Sequence, residues 1–138
     1  MILIIRIAGL VETDKKINEF LFRLRLRKKY TAILVKDGEE TRKVLRQIRD
    51  FVAYGPINKE TLHLLLSKRG KSIDKKKIDV EKIIDEVEKK NLSVLGLKPY
   101  FRLHPPRGGI ESKVHFPIRK GVLGDNKEKI NDLARRML

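Results

Sequence analysis

The chain of 138 residues carries 33 Lys and Arg against 18 Asp and Glu, a net charge of +15. So large a self-repelling charge points to a polyanionic partner, while 41% hydrophobic residues exclude disorder throughout and suit one core with modest extensions. Cysteine is absent, which excludes disulfides and thiolate metal sites. No apolar run reaches the roughly 18 residues of a spanning helix, and Arg6 interrupts the apolar start too early for a signal-peptide core, so a membrane partner is not expected.

Ile2 to Ile7 is β-branched and nearly continuous, the pattern of a buried strand. Thr13 or Asp14 can cap a helix in which Ile17, Phe20, Leu21 and Leu24 fall on one face. Thr31 to Val35 reads as a second strand, closed by the turn pair Asp37-Gly38. Glu39 and Glu40 suit the N-terminus of a second helix, with Val44, Leu45, Ile48 and Phe51 as its buried face. Phe51 to Tyr54 is the third strand, ended by Gly55-Pro56. The order β-α-β-α-β within residues 1–57 implies a small sheet covered by two helices.

Two helical segments fill residues 58–95. Asn58 caps one carrying Leu62, Leu65 and Leu66; Asp79 caps another carrying Val80, Ile83, Ile84 and Val87. The polar stretch Lys68 to Lys77 between them reads as an exposed linker. Residues 96–138 form a third part. Leu97 to Gly109 holds three of the five prolines and a glycine pair, and Lys113 to Lys120 is extended by pattern, with Pro117 arguing against a central strand. Asp125 and Glu128 resemble a capping box before a last helix with Ile130, Leu133, Ala134 and Met137 on one face. The fold class expected is α/β (α+β), with the three parts forming one structural unit.

Three groups of cations stand out. Arg23, Arg25, Arg27, Lys28 and Lys29 place five cations in seven residues at the end of the first helix. Cations there favour the helix dipole, but the run exceeds what capping requires, and an Arg fork can hold a phosphate with two hydrogen bonds. Arg42, Arg46 and Arg49 share one face of the second helix, readable either as a solvated face or as a contact face. Arg102, His104, Arg107, Gly108, Gly109, Lys113, His115, Arg119 and Lys120 make the third group. There Pro105-Pro106 stiffens the backbone and Gly108-Gly109 bares it for close approach. This segment, residues 102–121, is expected to be mobile alone and to order on RNA, because few apolar groups hold it down. Among the aromatics, Tyr30, Tyr100, Phe101 and Phe116 adjoin the basic stretches, where an unpaired base can stack on a ring.

Enzymatic signals are thin. None of His63, His104 and His115 has a carboxylate at metal-ligand spacing, His63 reads as a helix-surface residue, and no serine has a nucleophile-elbow context. Glu111-Ser112-Lys113 faintly suggests a nuclease pair, and Gly121 to Gly124 fits the GxxG loop of KH domains without the flanking helices that loop needs. No catalytic residue, metal site or cofactor is assigned.

Leu103-His-Pro-Pro-Arg-Gly-Gly109, His115-Phe-Pro-Ile-Arg-Lys-Gly121, Leu123-Gly124 and Phe51-Val-Ala-Tyr-Gly55 with Glu60-Thr-Leu62 together resemble the archaeal-type L-thirty family of large-subunit ribosomal proteins. Leu24-Arg-Leu-Arg-Lys28 and Arg42 are similar to its shorter bacterial members. The resemblance spans nearly the whole chain and departs from the family at Lys43-Val44 and at the single glycine Gly121. It implies a ferredoxin-like βαβαβ core with a helical insertion and an extended basic C-terminal part. It also implies a structural role in the ribosome of the cytoplasm, binding ribosomal RNA near the 5S RNA and touching neighbouring ribosomal proteins. The matched basic positions are Arg25, Arg27, Lys28, Arg42, His104, Arg107 and Lys120. A nucleic-acid-binding protein outside the ribosome is the alternative, and a nuclease using Glu111 and Lys113 a more distant one.

Overall fold

The computed structural model describes residues 1–9, 14–72, 79–87, 89, 96–107, 112–115 and 121–138. Strand β1 (Ile2–Arg6) lies at the middle of the sheet, antiparallel to β2 (Thr31–Val35) on one side and to β3 (Val52–Pro56) on the other. β2 and β3 are therefore parallel to each other, joined by helix α2 (Glu39–Ile48), while helix α1 (Lys15–Arg23) and the loop after it connect β1 to β2. The C-terminal part completes the sheet: β4 (Phe101–Arg102) pairs antiparallel with β2, and β6 (Gly121–Asp125) lies parallel to β3 and to the edge strand β5 (Ser112–His115). The order is β4-β2-β1-β3-β6-β5.

Both faces of the sheet are covered, which explains why Ile2 to Ile7 is apolar without alternation. Leu3, Ile5 and Ile7 pack with Ala32, Ala53 and Phe101 against helices α3 (Lys59–Arg69), α4 (Val80–Glu86) and α5 (Ile130–Met137). Ile4, Ile33 and Val52 face α1 and α2, meeting Leu21, Leu45 and Ile48. Asn58 caps α3 by accepting from the Thr61 N–H at 2.8 Å, and Asp79 caps α4 by accepting from Lys82 N–H at 3.4 Å. The apolar face expected for the last helix is buried as read: Ile130, Leu133, Ala134 and Met137.

Several boundaries differ from the sequence reading. Asp14 occupies the α1 N-cap without a side-chain capping bond, and Thr13 lies outside the described residues. Phe51 follows α2 in a turn, its N–H donating to Ile48 O at 2.9 Å. Gly55-Pro56 does not end β3 but belongs to it, pairing with Leu3 and Ile2. A β-carbon at Gly55 would meet the Lys127 carbonyl and come within 2.9 Å of the Ile130 side chain, so this glycine serves close packing rather than a turn. Lys68 and Arg69 are the last residues of α3, not linker. Asp125 ends β6 and accepts from Lys127 N–H at 2.9 Å, closing a 3-10 turn (Lys127–Lys129) before α5, so no Asp125–Glu128 capping box forms. Gly121 to Gly124 is strand, and Gly124 has φ of 84°, a left-handed angle that glycine adopts without penalty.

The described part of the basic segment is seated on the fold, correcting the expectation of an unanchored arm. Leu103 N–H donates to Tyr30 O at 3.0 Å, His104 N–H to Met137 O at 2.9 Å, and Arg107 N–H to Arg136 O at 3.0 Å. Arg136 returns the contact, Nε donating to Arg107 O at 2.9 Å. Leu103 and Pro106 are buried. Burial of Leu103 and Pro106 offsets the exposed charge of residues 102–107, and the last carbonyls of α5 accept from its backbone.

Candidate nucleic-acid interface

The loop from Leu24 to Tyr30 is built by a helix ending with an unusual residue. Leu26 N–H donates to Leu21 O at 2.9 Å and Arg25 N–H to Phe22 O at 3.0 Å, the two bonds of a Schellman motif. The residue at its left-handed position is Arg25, with φ of 68°, where glycine is the usual occupant. Leu26, fully buried, packs in the same cluster as Leu21, which supplies the apolar contact that accompanies such a motif. Tyr30, at the other end of the loop, is also left-handed, with φ of 66°.

Arg6 fixes this loop from beneath. It is fully buried, on the α1 side of β1, and all its bonds are to neutral oxygens. Nε donates to Ala8 O at 2.9 Å, one terminal nitrogen to Leu26 O at 2.8 Å and to Arg27 O at 3.5 Å, and the other to Asn18 Oδ1 at 2.6 Å. Burial holds its guanidinium below the ordinary arginine range. A lone charge inside an otherwise apolar strand was the sequence signal for this role; sequence reasoning used Arg6 only to break an apolar run.

Above the loop, Arg25, Arg27, Lys28, Thr31, Tyr100 and Arg102 line a cavity of about 260 Å³. The fold makes this convergence by pairing Thr31 of β2 with Arg102 of β4, so the helix-end cations and the first cation of the basic segment meet at one place. The Arg102 guanidinium lies 5.9 Å from the Tyr100 ring centre, and Lys29 Nζ 5.1 Å from that of Tyr30, both cation–π distances. Arg23, Arg25, Arg27, Lys28, Lys29 and Arg102 are exposed. Thr31 was read only as a strand residue, because nothing in a sequence says that β4 will dock beside it.

The face of α2 stands apart. Arg42 pairs with Asp37 at 3.4 Å, an exposed contact of little energetic weight. Arg46 and Arg49 act electrostatically on Tyr54 of β3; two strands separate β3 from β4, about 14 Å at ordinary strand spacing. Burial and Asp125 raise the Tyr54 hydroxyl above its ordinary value, with Arg49 and Arg46 opposing them. His63 is exposed on α3, within 3.5 Å of Ser67 Oγ. Among the described residues no group of three His, Asp or Glu is placed to hold a metal, and no helix is long and apolar enough to cross a membrane. Gly108, Gly109, Glu111, Arg119 and Lys120 lie outside the described residues, as do the side chains of Lys113 and His115.

No family model matches the chain. Comparison with curated proteins finds large ribosomal subunit protein uL30 of Archaeoglobus fulgidus, 37% identical over 153 aligned residues, covering 99% of each chain. The chain belongs to the uL30 family. Similar uL30 proteins occur in Methanobrevibacter smithii, 33% identical over the full length of both chains, and in Pyrobaculum aerophilum, 34% identical over 98% of this chain and 92% of the relative. Of the basic positions that the family resemblance picked out, Arg25, Arg27 and Lys28 line the cavity. Arg42 lies on the separate α2 face, and His104 and Arg107 run beside the end of α5 in this uL30 chain. The sequence grouped the cations by their neighbours along the chain; the fold regroups them, moving Arg102 to the helix-end cluster.

Proposed function

We propose that this protein is a structural constituent of the large ribosomal subunit in the cytoplasm, where it binds ribosomal RNA and carries out no catalysis. Relatives along its full length bear the name of a large-subunit protein. The observation that carries RNA binding is the convergence of Arg25, Arg27, Lys28 and Arg102 around one cavity, in a chain of net charge +15. Cations held by a rigid loop neutralise phosphates without first having to be ordered. Contact extends, in this reading, from the cavity along the exposed Arg23 and Lys29 and along the basic segment of His104, Arg107, Gly108, Gly109, Lys113, His115, Arg119 and Lys120. The α2 cations Arg42 and Arg46 form a second contact face. Neighbouring ribosomal proteins and the 5S RNA region complete the surroundings that the resemblance implies.

The test is incorporation. The tagged protein should sediment with large subunits through high salt, and the triple substitution of Arg25, Arg27 and Lys28 by Ala should greatly reduce the bound fraction while the variant stays folded. Sedimentation of the wild-type protein away from the subunits would overturn the reading.

A further inference from the structure

We propose that the cavity between the α1–β2 loop and β4 captures a single unpaired nucleotide of the RNA strand, its phosphate on Arg25, Arg27 and Lys28 and its base against Tyr100 and Arg102. The inference rests on the RNA-binding reading and adds what kind of RNA feature the site takes. Three observations support it. The cavity of about 260 Å³ is a recess, whereas the backbone of a duplex needs only a surface. Its lining joins the cations Arg25, Arg27 and Lys28 to an aromatic ring, Tyr100, with the Arg102 guanidinium 5.9 Å from the ring centre, the pairing of phosphate donors and stacking planes that suits an unstacked nucleotide.

The backbone makes the third point. Arg25 is held at φ of 68°, and Arg6 donates to the Leu26 and Arg27 carbonyls from within the core. A non-glycine residue in the left-handed region is retained at a cost, and here the retained side chain lines the cavity. Glycine would close the same helix end without strain but would bring no cation. The exposed Arg23 and Lys29 flank the loop, giving successive phosphates further partners. That arrangement fits a nucleotide within a strand better than a free mononucleotide.

The experiment compares wild-type binding to three short RNA hairpins at one salt concentration: fully paired, with a one-nucleotide bulge, and with the same bulge lacking its base. The bulged hairpin should bind about tenfold tighter than the paired one, within the range that base–aromatic stacking provides, and the abasic bulge should fall back to the paired value. Tyr100→Leu should bring binding of the bulged hairpin down towards that of the paired one; Arg102→Gln, on an exposed residue, should do the same in part where Tyr100→Leu fails to fold. Uridine monophosphate should compete weakly. Equal binding of all three hairpins would overturn the pocket while leaving RNA binding intact. So would a mononucleotide binding as tightly as the bulge, which marks a small-molecule site. No binding to any hairpin at low salt would instead overturn the RNA-binding reading itself.

Discussion

At the scale of single residues, the informative positions are those where local preference is violated. Arg25 sits where a glycine would be relaxed, at φ of 68°. Arg25→Gly should therefore stabilise the free protein by about 0.5–1 kcal/mol, the left-handed strain less the extra entropy glycine has when unfolded, and weaken RNA binding. Urea denaturation and a binding titration on the same variant test both signs; a loss of stability would show that the Arg25 side chain holds the loop. Arg6 is the opposite case. Replacing it by Met removes the guanidinium that donates to the Ala8 and Leu26 carbonyls inside the fold, and buried acceptors that lose a donor should lower stability by about 2 kcal/mol or more. Thermal unfolding of Arg6→Met measures it, and a near-neutral result would mean that water replaces the guanidinium. Tyr54 adds a pH dependence. Its hydroxyl is raised above the ordinary tyrosine value, first by burial and then by Asp125, so the folded state keeps its proton longer than the unfolded chain. That stabilisation is fully present below the unfolded value and is lost as pH rises through the folded one. Stability of the wild type should thus hold a little better than that of Tyr54→Phe at neutral pH relative to strongly alkaline pH, a difference that comparing the two proteins isolates from lysine titration.

At the scale of elements, legibility followed periodicity. β1 and β2 were readable as β-branched apolar runs, and α2 and α3 from apolar residues on one face after a recognisable cap or turn: Asp37-Gly38 before α2, Asn58 before α3. β4 and β6 were not. β4 is two residues long, too short for any period, and β6 contains two glycines, which depress strand propensity. Both exist because a partner strand offers free backbone groups, a tertiary fact that no local pattern carries. The same blindness hid the cavity, since its walls come from residues about seventy positions apart that only the Thr31–Arg102 pairing unites. It also made the basic segment look detached. Amide hydrogen exchange on the free protein separates the two pictures: Leu103, His104 and Arg107, bonded to Tyr30, Met137 and Arg136, should exchange slowly, at rates set by the opening of β4 and the end of α5. Exchange at those amides as fast as in an unstructured peptide would restore the unanchored arm.

At the scale of the whole molecule, charge and packing act in opposition, and salt separates them. The central sheet is shared by the first 57 residues and the C-terminal part, because β4, β5 and β6 extend it on both sides of β2, β1 and β3. Neither part closes the core alone: Leu3, Ile5 and Ile7 are covered by α3, α4 and α5. The chain is therefore proposed to unfold in one cooperative transition. Self-repulsion among charges summing to +15 opposes that compact state, and ions screen repulsion between exposed groups beyond about 8–10 Å near physiological strength. Added salt should raise the melting temperature of the free protein. The same ions compete with the protein for RNA phosphates, so affinity should fall linearly in log salt, by about 0.7–0.9 of a slope unit per phosphate contacted. Four cations around the cavity, each meeting one phosphate, set a minimum slope of about −3, with the flanking cations and the basic segment making it steeper. Melting curves and RNA titrations over one salt series should therefore move in opposite directions. A slope near zero would mean that the positive charge serves something other than phosphate, and two separate melting steps would mean that the sheet does not bind the two parts into one unit.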